Sequence, residues 1–169
     1  PWLPRVTGKW KRMGAGARDS NAGGYPLDMT MIMGLDVCDK STRLLDQSRL
    51  GPILVGEADA LEGGPPVGAM IIQNTNPMVV CPELGKVHDG FRRNDLFVCV
   101  HEQFMTETAA MADIVLPATT FLEHEDLYIA GGHTHLFVTK AVIEPLGECR
   151  SNHAVLCGLA NRLGCNHPG

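Results

Sequence analysis

Residues 112–125 read ADIVLPATTFLEHE, and the first half of this stretch decides the fold. Ile114, Val115 and Leu116 form an apolar run too short for a helix. Pro117 ends it, because proline brings no backbone donor to a ladder. A short buried strand is expected. The same pattern stands upstream, where residues 95–100 (DLFVCV) and 67–73 (VGAMIIQ) are strand-length apolar runs. Such continuous runs are expected to be buried on both faces of a sheet. Residues 82–93 between them allow a helix, weakened by Gly85 and Gly90. Residues 106–112 (TETAAMA) allow a short helix with a hydroxyl side chain at its start. Downstream, residues 136–143 (LFVTKAVI) are a further strand candidate. Residues 151–163 make a helix that Ser151 or Asn152 caps, with Val155, Leu156, Leu159 and Leu163 as its stripe and Gly164 at its end. Strands alternating with helices at this spacing imply βαβ units, hence an α/β fold with a mainly parallel sheet flanked by helices.

Open parallel sheets bind ligands outside the carboxyl ends of their strands. Three loops occupy such positions: 74–77, 101–106 and 117–120. Asn74, Thr75 and Asn76 bring amides and a hydroxyl, which suit sugar hydroxyls, phosphate oxygens or a base edge; a plain Asx turn before Pro77 is the other reading. In the second loop Glu102 could accept hydrogen bonds from ribose and His101 could stack on a base, or the loop is simply polar. No GxGxxG and no GxxxxGK[ST] accompanies these loops, so the common nucleotide fingerprints are absent. Glu123, His124, Glu125 and Asp126, followed by His133 and His135, offer carboxylates and imidazoles to a metal such as zinc. Gly131 and Gly132 make a flexible turn there, and a polar loop is the favoured reading. No Gly-x-Ser-x-Gly elbow marks a hydrolase.

The 169 residues carry a net charge of -5, which argues against a nucleic-acid partner. The one basic run, Arg5, Lys9, Lys11 and Arg12 with Trp2 and Trp10 between them, reads as a solvated terminus rather than an RNA-binding tail. No apolar stretch approaches the ~20 residues of a membrane span. The first ten residues have no signal-peptide pattern, and Pro1 in place of Met is expected to mark a processed or excerpted start. Six cysteines, no two of them two residues apart, match neither a zinc knuckle nor an iron–sulfur run. Cys99 and Cys157 are expected as buried free thiols. That usage points to a reducing compartment, the cytoplasm before the periplasm. Glycines at 8, 14, 16, 23 and 24 break up the first part of the chain. Residues 1–64 are therefore expected as an irregular connecting segment that packs against something larger. The run Glu62-Gly63-Gly64-Pro65-Pro66 closes that segment, and the regular domain spans 65–169.

Taken in order, Asn76-Pro77, residues 101–109 (HEQFMTETA), residues 112–118 (ADIVLPA), Glu123-His124-Glu125, residues 141–145 (AVIEP) and residues 159–164 (LANRLG) resemble the third domain of the molybdopterin oxidoreductases. These are the enzymes of the dimethyl-sulfoxide-reductase and formate-dehydrogenase type. Residues 7–16 resemble the end of that family's second domain, so the chain resembles an internal piece. The resemblance implies a Rossmann-like domain that holds the nucleotide arm of a bis-molybdopterin guanine dinucleotide carrying molybdenum or tungsten. It implies Asn74, Asn76 and Pro77 on the phosphate or sugar side and His101 and Glu102 at the nucleoside. Ala118 and Thr119 would approach by their backbone, and Asn152 would lie at the guanine or pterin. The family often has Asp at that last position, so Asn152 would donate as well as accept. The family's iron–sulfur cysteines, metal ligand and closing barrel match nothing here. No catalytic residue and no metal ligand is therefore assigned, and the chain alone is expected to be inactive. The implied partners are the remaining domains of the parent enzyme and a small redox substrate such as formate, an oxyanion or a sulfoxide. The reading from a different class is a non-catalytic nucleotide-binding or interaction module.

Overall fold

The computed structural model describes residues 36–129 and 135–165, with Met13, Asp28, Thr30 and Gly34. The basic run 5–12 and His133 lie outside these residues. Residues 39–124 together with 140–165 belong to one compact unit, and 125–129 with 135–139 belong to another.

A 3-10 turn, Gln47–Arg49, leads into α1 (Leu50–Leu54). Then follow β1 (Ala69–Gln73), α2 (Pro77–Val80), α3 (Leu84–Phe91), β2 (Phe97–Glu102), α4 (Glu107–Ala110) and β3 (Ile114–Pro117). The three strands pair in parallel in the order β1-β2-β3. Ile72 lies opposite Val100, and Val100 opposite Val115, so the carboxyl ends of all three strands come level. The last helix of the unit, α5, is Asn152–Arg162. Ser151 caps it, its hydroxyl accepting the Ala154 N–H at 3.3 Å.

The core collects Leu54 from α1, Met78 from α2, Val87 and Phe91 from α3 and Ala109 from α4 over Ile72, Val98 and Val100. The helices thus cover one face of the sheet. On the other face Ile71, Phe97 and Ile114 are 53%, 46% and 44% exposed. This corrects the expectation that the apolar runs are buried on both faces. Side chains alternate along a strand, and the described helices supply cover for only one set.

Within Pro82 to Arg93 the expected helix is present but shorter, Leu84–Phe91. The chain breaks at Glu83, which takes a positive φ of 54° just ahead of α3. The glycines that weaken α3 have different reasons. A Cβ on Gly90 would run into the Leu54 side chain, so Gly90 lets α1 and α3 approach. Gly85 faces open space. Arg93 then locks the turn before β2: its guanidinium donates to the Leu54 carbonyl at 2.8 Å and grips Asp95 at 2.7 and 2.9 Å.

The expected strand at 136–143 is shorter and belongs elsewhere. β4 (Asp126–Ile129) and β5 (Leu136–Thr139) pair antiparallel as a hairpin in the second unit. Val142 and Ile143 are not strand; both donate their N–H to the Leu122 carbonyl, at 2.8 and 3.2 Å. The six cysteines are free, with Cys99 and Cys157 half-buried rather than buried. Desolvation pushes the Cys81 and Cys99 thiols up. Among the described residues no helix is long and apolar enough to cross a membrane.

Candidate nucleotide-binding edge

The level strand ends bring three loops to one edge of the sheet, and a fourth segment joins them. Ala118 and Arg150 form a parallel bridge beside β3. Arg150 N–H donates to the Pro117 carbonyl at 3.1 Å, and Thr119 N–H donates to the Arg150 carbonyl at 3.2 Å. This bridge sets the start of α5 next to the ends of β2 and β3.

The residues singled out from the sequence sort into two groups. Asn74, Glu102 and Asn152 offer polar groups at the edge. Asn74 directly follows β1, is exposed, and takes a positive φ of 57°. Asn tolerates that conformation better than most residues because its short amide bonds locally. The Glu102 carboxylate, half-buried at the end of β2, accepts the N–H of its neighbour Gln103 at 2.7 Å. Asn152 is exposed at the first position of α5, where the leading backbone N–H groups have no partner within the helix.

The other residues spend their polar groups inside the protein. Asn76 accepts from the Thr108 hydroxyl at 2.7 Å and donates to Glu107 at 2.8 Å, holding the Glu107 carboxyl below its usual range. Pro77 is buried as the first residue of α2. His101 is 1% exposed and lies between Gln73 and the Arg150 carbonyl, at 3.0 and 3.1 Å. Ala118 and Thr119 are buried, and the Thr119 hydroxyl meets His124 Nδ1 at 2.8 Å. The Thr119 carbonyl accepts from the Gln103 amide at 2.9 Å.

Sequence reading missed Glu123 as a brace. Its carboxylate is 7% exposed and accepts the Thr120 N–H at 2.7 Å and the Leu146 N–H at 2.6 Å. Those two N–H groups, Thr120 first, hold its carboxyl below the usual range. It staples the 119–123 loop to residue 146. Among the described residues no group of three or more histidines, cysteines or carboxylates is placed to hold a metal. Gln73 was missed as well; its only signal was a polar residue closing an apolar run. A shallow groove of about 370 Å³ along α3, lined by Leu84, Gly85, His88, Asp89 and Arg92, includes none of the edge residues.

Residues 54–162 match the molybdopterin oxidoreductase family, and the chain belongs to it. It is 40% identical over 163 residues to a probable oxidoreductase, YoaE, of Bacillus subtilis, covering 96% of this chain and 23% of that protein. It is 36% identical over 91 residues to the dimethyl sulfoxide/trimethylamine N-oxide reductase of Rhodobacter capsulatus, covering 53% of this chain and 11% of that enzyme. Among solved structures, acetylene hydratase from Pelobacter acetylenicus superposes with a TM-score of 0.55 at 29% identity, over 66% of this chain and 15% of that one. The chain thus spans less than a quarter of the length of these relatives. The three-stranded parallel sheet bears out the Rossmann-like α/β class, and the family bears out the resemblance.

Proposed function

We propose that this chain holds the nucleotide arm of a bis-molybdopterin guanine dinucleotide within a larger molybdopterin oxidoreductase. The observation that carries this reading is the single edge on which Asn74, Glu102 and the start of α5 converge, level with the ends of three parallel strands. Its donor set fits a nucleotide. A carboxylate suits paired ribose hydroxyls, and unpartnered helix N–H groups suit phosphate or a base carbonyl. Asn74 adds an amide that can donate and accept. In this reading Asn74, Glu102 and Asn152 face the nucleotide, while the Ala118 N–H is taken by the Glu102 carbonyl. Asn76, Pro77, His101 and Thr119 hold those groups in place.

The bound metal and pterins supply the two-electron chemistry; the chain's residues bind and orient the nucleotide end. We place the substrate among sulfoxides and N-oxides, on the likeness to the Rhodobacter enzyme, before formate or other oxyanions. The structural neighbour is a hydratase by name, so the scaffold by itself does not choose the reaction. The free thiols fit a cytoplasmic setting. Under this proposal the rest of the parent enzyme supplies the metal ligand, and the chain alone is inactive.

Guanosine diphosphate is the probe. Titrated into the isotopically labelled chain, it should shift amides at 74–76, 102–104, 118–120 and 151–154. Glu102→Gln should weaken binding roughly tenfold, the size of one charge-assisted hydrogen bond. Saturable shifts confined to the α3 groove, or no binding at millimolar nucleotide, would sink the reading.

A further inference from the structure

We infer that His101 is a positioning residue: it anchors the start of α5 to the sheet edge and does not touch the nucleotide. The inference rests on the nucleotide reading for its consequence, but its geometry stands independently.

A carbonyl oxygen can only accept, so the ring nitrogen that meets Arg150 O at 3.1 Å, Nε2, carries the hydrogen. An amide NH2 can only donate, so Nδ1, at 3.0 Å from Gln73 Nε2, is bare. This pair of contacts assigns the ring the Nε2–H tautomer. Gln73 lies directly opposite His101 in the β1–β2 register, so β1 selects that tautomer from the neighbouring strand. The Arg150 carbonyl accepts twice, from His101 Nε2–H and from Thr119 N–H. Its two lone pairs are then used. At 1% exposure, with both nitrogens engaged, the ring has no face left for a base. That favours an anchoring role over the expected stacking or base-bonding one.

What makes the anchor matter is the helix it holds. None of the residues of α5 is buried; Leu156 is 48% exposed, and Leu163, just past its end, is 69% exposed. Hydrophobic packing therefore does little to dock α5 on this unit. Its start is fixed by the Ala118–Arg150 bridge and by His101, and Ser151 and Asn152 follow immediately. The His101 contact spans 49 positions of chain. Loss of such a contact should free the helix start without disturbing the strands.

The test compares the full chain with His101→Phe, which fills the space without a polar atom, and His101→Gln, which restores an N–H donor. Amide hydrogen exchange is read at 151–156 and, separately, along β1 and β2, together with guanosine diphosphate binding. The Phe variant should speed exchange at 151–156 about tenfold, the scale of one hydrogen bond, with β1 and β2 unchanged. Nucleotide binding should weaken in proportion, and the Gln variant should recover both. Unchanged exchange at 151–156 overturns the inference, as does equal acceleration across the whole sheet, which would make His101 mere core filling. Weaker nucleotide binding with unchanged exchange also overturns it, in favour of direct contact. The predicted exchange pattern without any nucleotide binding supports the anchor and removes the nucleotide reading instead. Nitrogen-15 spectra of the unmodified chain give a test that needs no variant to fold. They should show a protonated Nε2 and a bare Nδ1 on His101; a bare Nε2 refutes the anchor.

Discussion

Thr108 shows how little of the site's order resides in the groups that face outward. It is fully buried, donates its hydroxyl to Asn76 and accepts the Met78 N–H at 3.2 Å. Asn76 in turn accepts the Thr108 N–H at 3.3 Å and reaches Glu107. The starts of α2 and α4 are therefore tied through two side chains. Thr108→Val keeps the shape and removes the hydroxyl, leaving the Met78 N–H unpaired in the interior. Urea unfolding should show a loss of about 1–3 kcal/mol, the cost of stranding a buried polar group. An unchanged midpoint would mean that the Asn76–Thr108 tie contributes nothing. From sequence, Asn76 was legible as a strand-end amide. Its partner was not, because 32 positions separate the two and only the parallel register brings them together.

At the scale of elements, the two glycines of α3 make opposite predictions from the same sequence signal. Gly90→Ala would drive a methyl into Leu54 and should cost about 1–3 kcal/mol through overpacking of the α1–α3 crossing. Gly85→Ala meets nothing and should stabilise the chain by about 0.5–1 kcal/mol, since a helical glycine is entropically costly. Thermal melts of the two variants should move in opposite directions; shifts of the same sign would contradict the packing described. The strands were legible as apolar runs, and the helix starts at Thr106 and Ser151 as hydroxyl caps. The fate of 136–143 was not. A short apolar run carries no information about whether its partner is parallel or antiparallel, and β5 found an antiparallel neighbour in β4.

For the whole molecule, electrostatics give a direction with pH. The carboxyls of Asp39, Asp46, Asp59, Asp95, Glu107 and Glu123 are all held below their usual range. Ser41 and Ser48 hydroxyls, Arg49 and Arg93 guanidinium groups, the Asn76 amide and the Thr120 N–H are the respective leading causes. A depressed carboxyl binds its proton more weakly folded than unfolded. Its contribution is complete above the unfolded range, about 3.9–4.3, and is lost as pH falls through the lower folded values. Unfolding free energy should therefore drop on acidification below about pH 4. Glu123→Gln should lower stability at neutral pH and flatten that drop. A variant with an acid profile parallel to the unmodified chain would show that the brace between Thr120 and Leu146 does not depend on charge.

The sequence by itself determined the class of fold and the family. Both are written in local signals: apolar runs of strand length, caps, a proline that ends a strand, and an ordered string of motifs. It also pointed to the carboxyl-end edge of the sheet, because strand ends are readable wherever strands are. Only the tertiary structure decided which of those edge residues face outward. Asn74 and Asn152 are exposed and Glu102 half-buried at the edge, whereas Asn76, His101 and Thr119 are consumed by Thr108, Gln73, Arg150 and His124. It likewise decided that the acidic stretch opening at Glu123 begins with a brace rather than a metal ligand. The physical reason is the same each time. A polar side chain's role depends on whether a partner reaches it first, and those partners stand anywhere from five positions away, as His124 does from Thr119, to 49, as Arg150 does from His101.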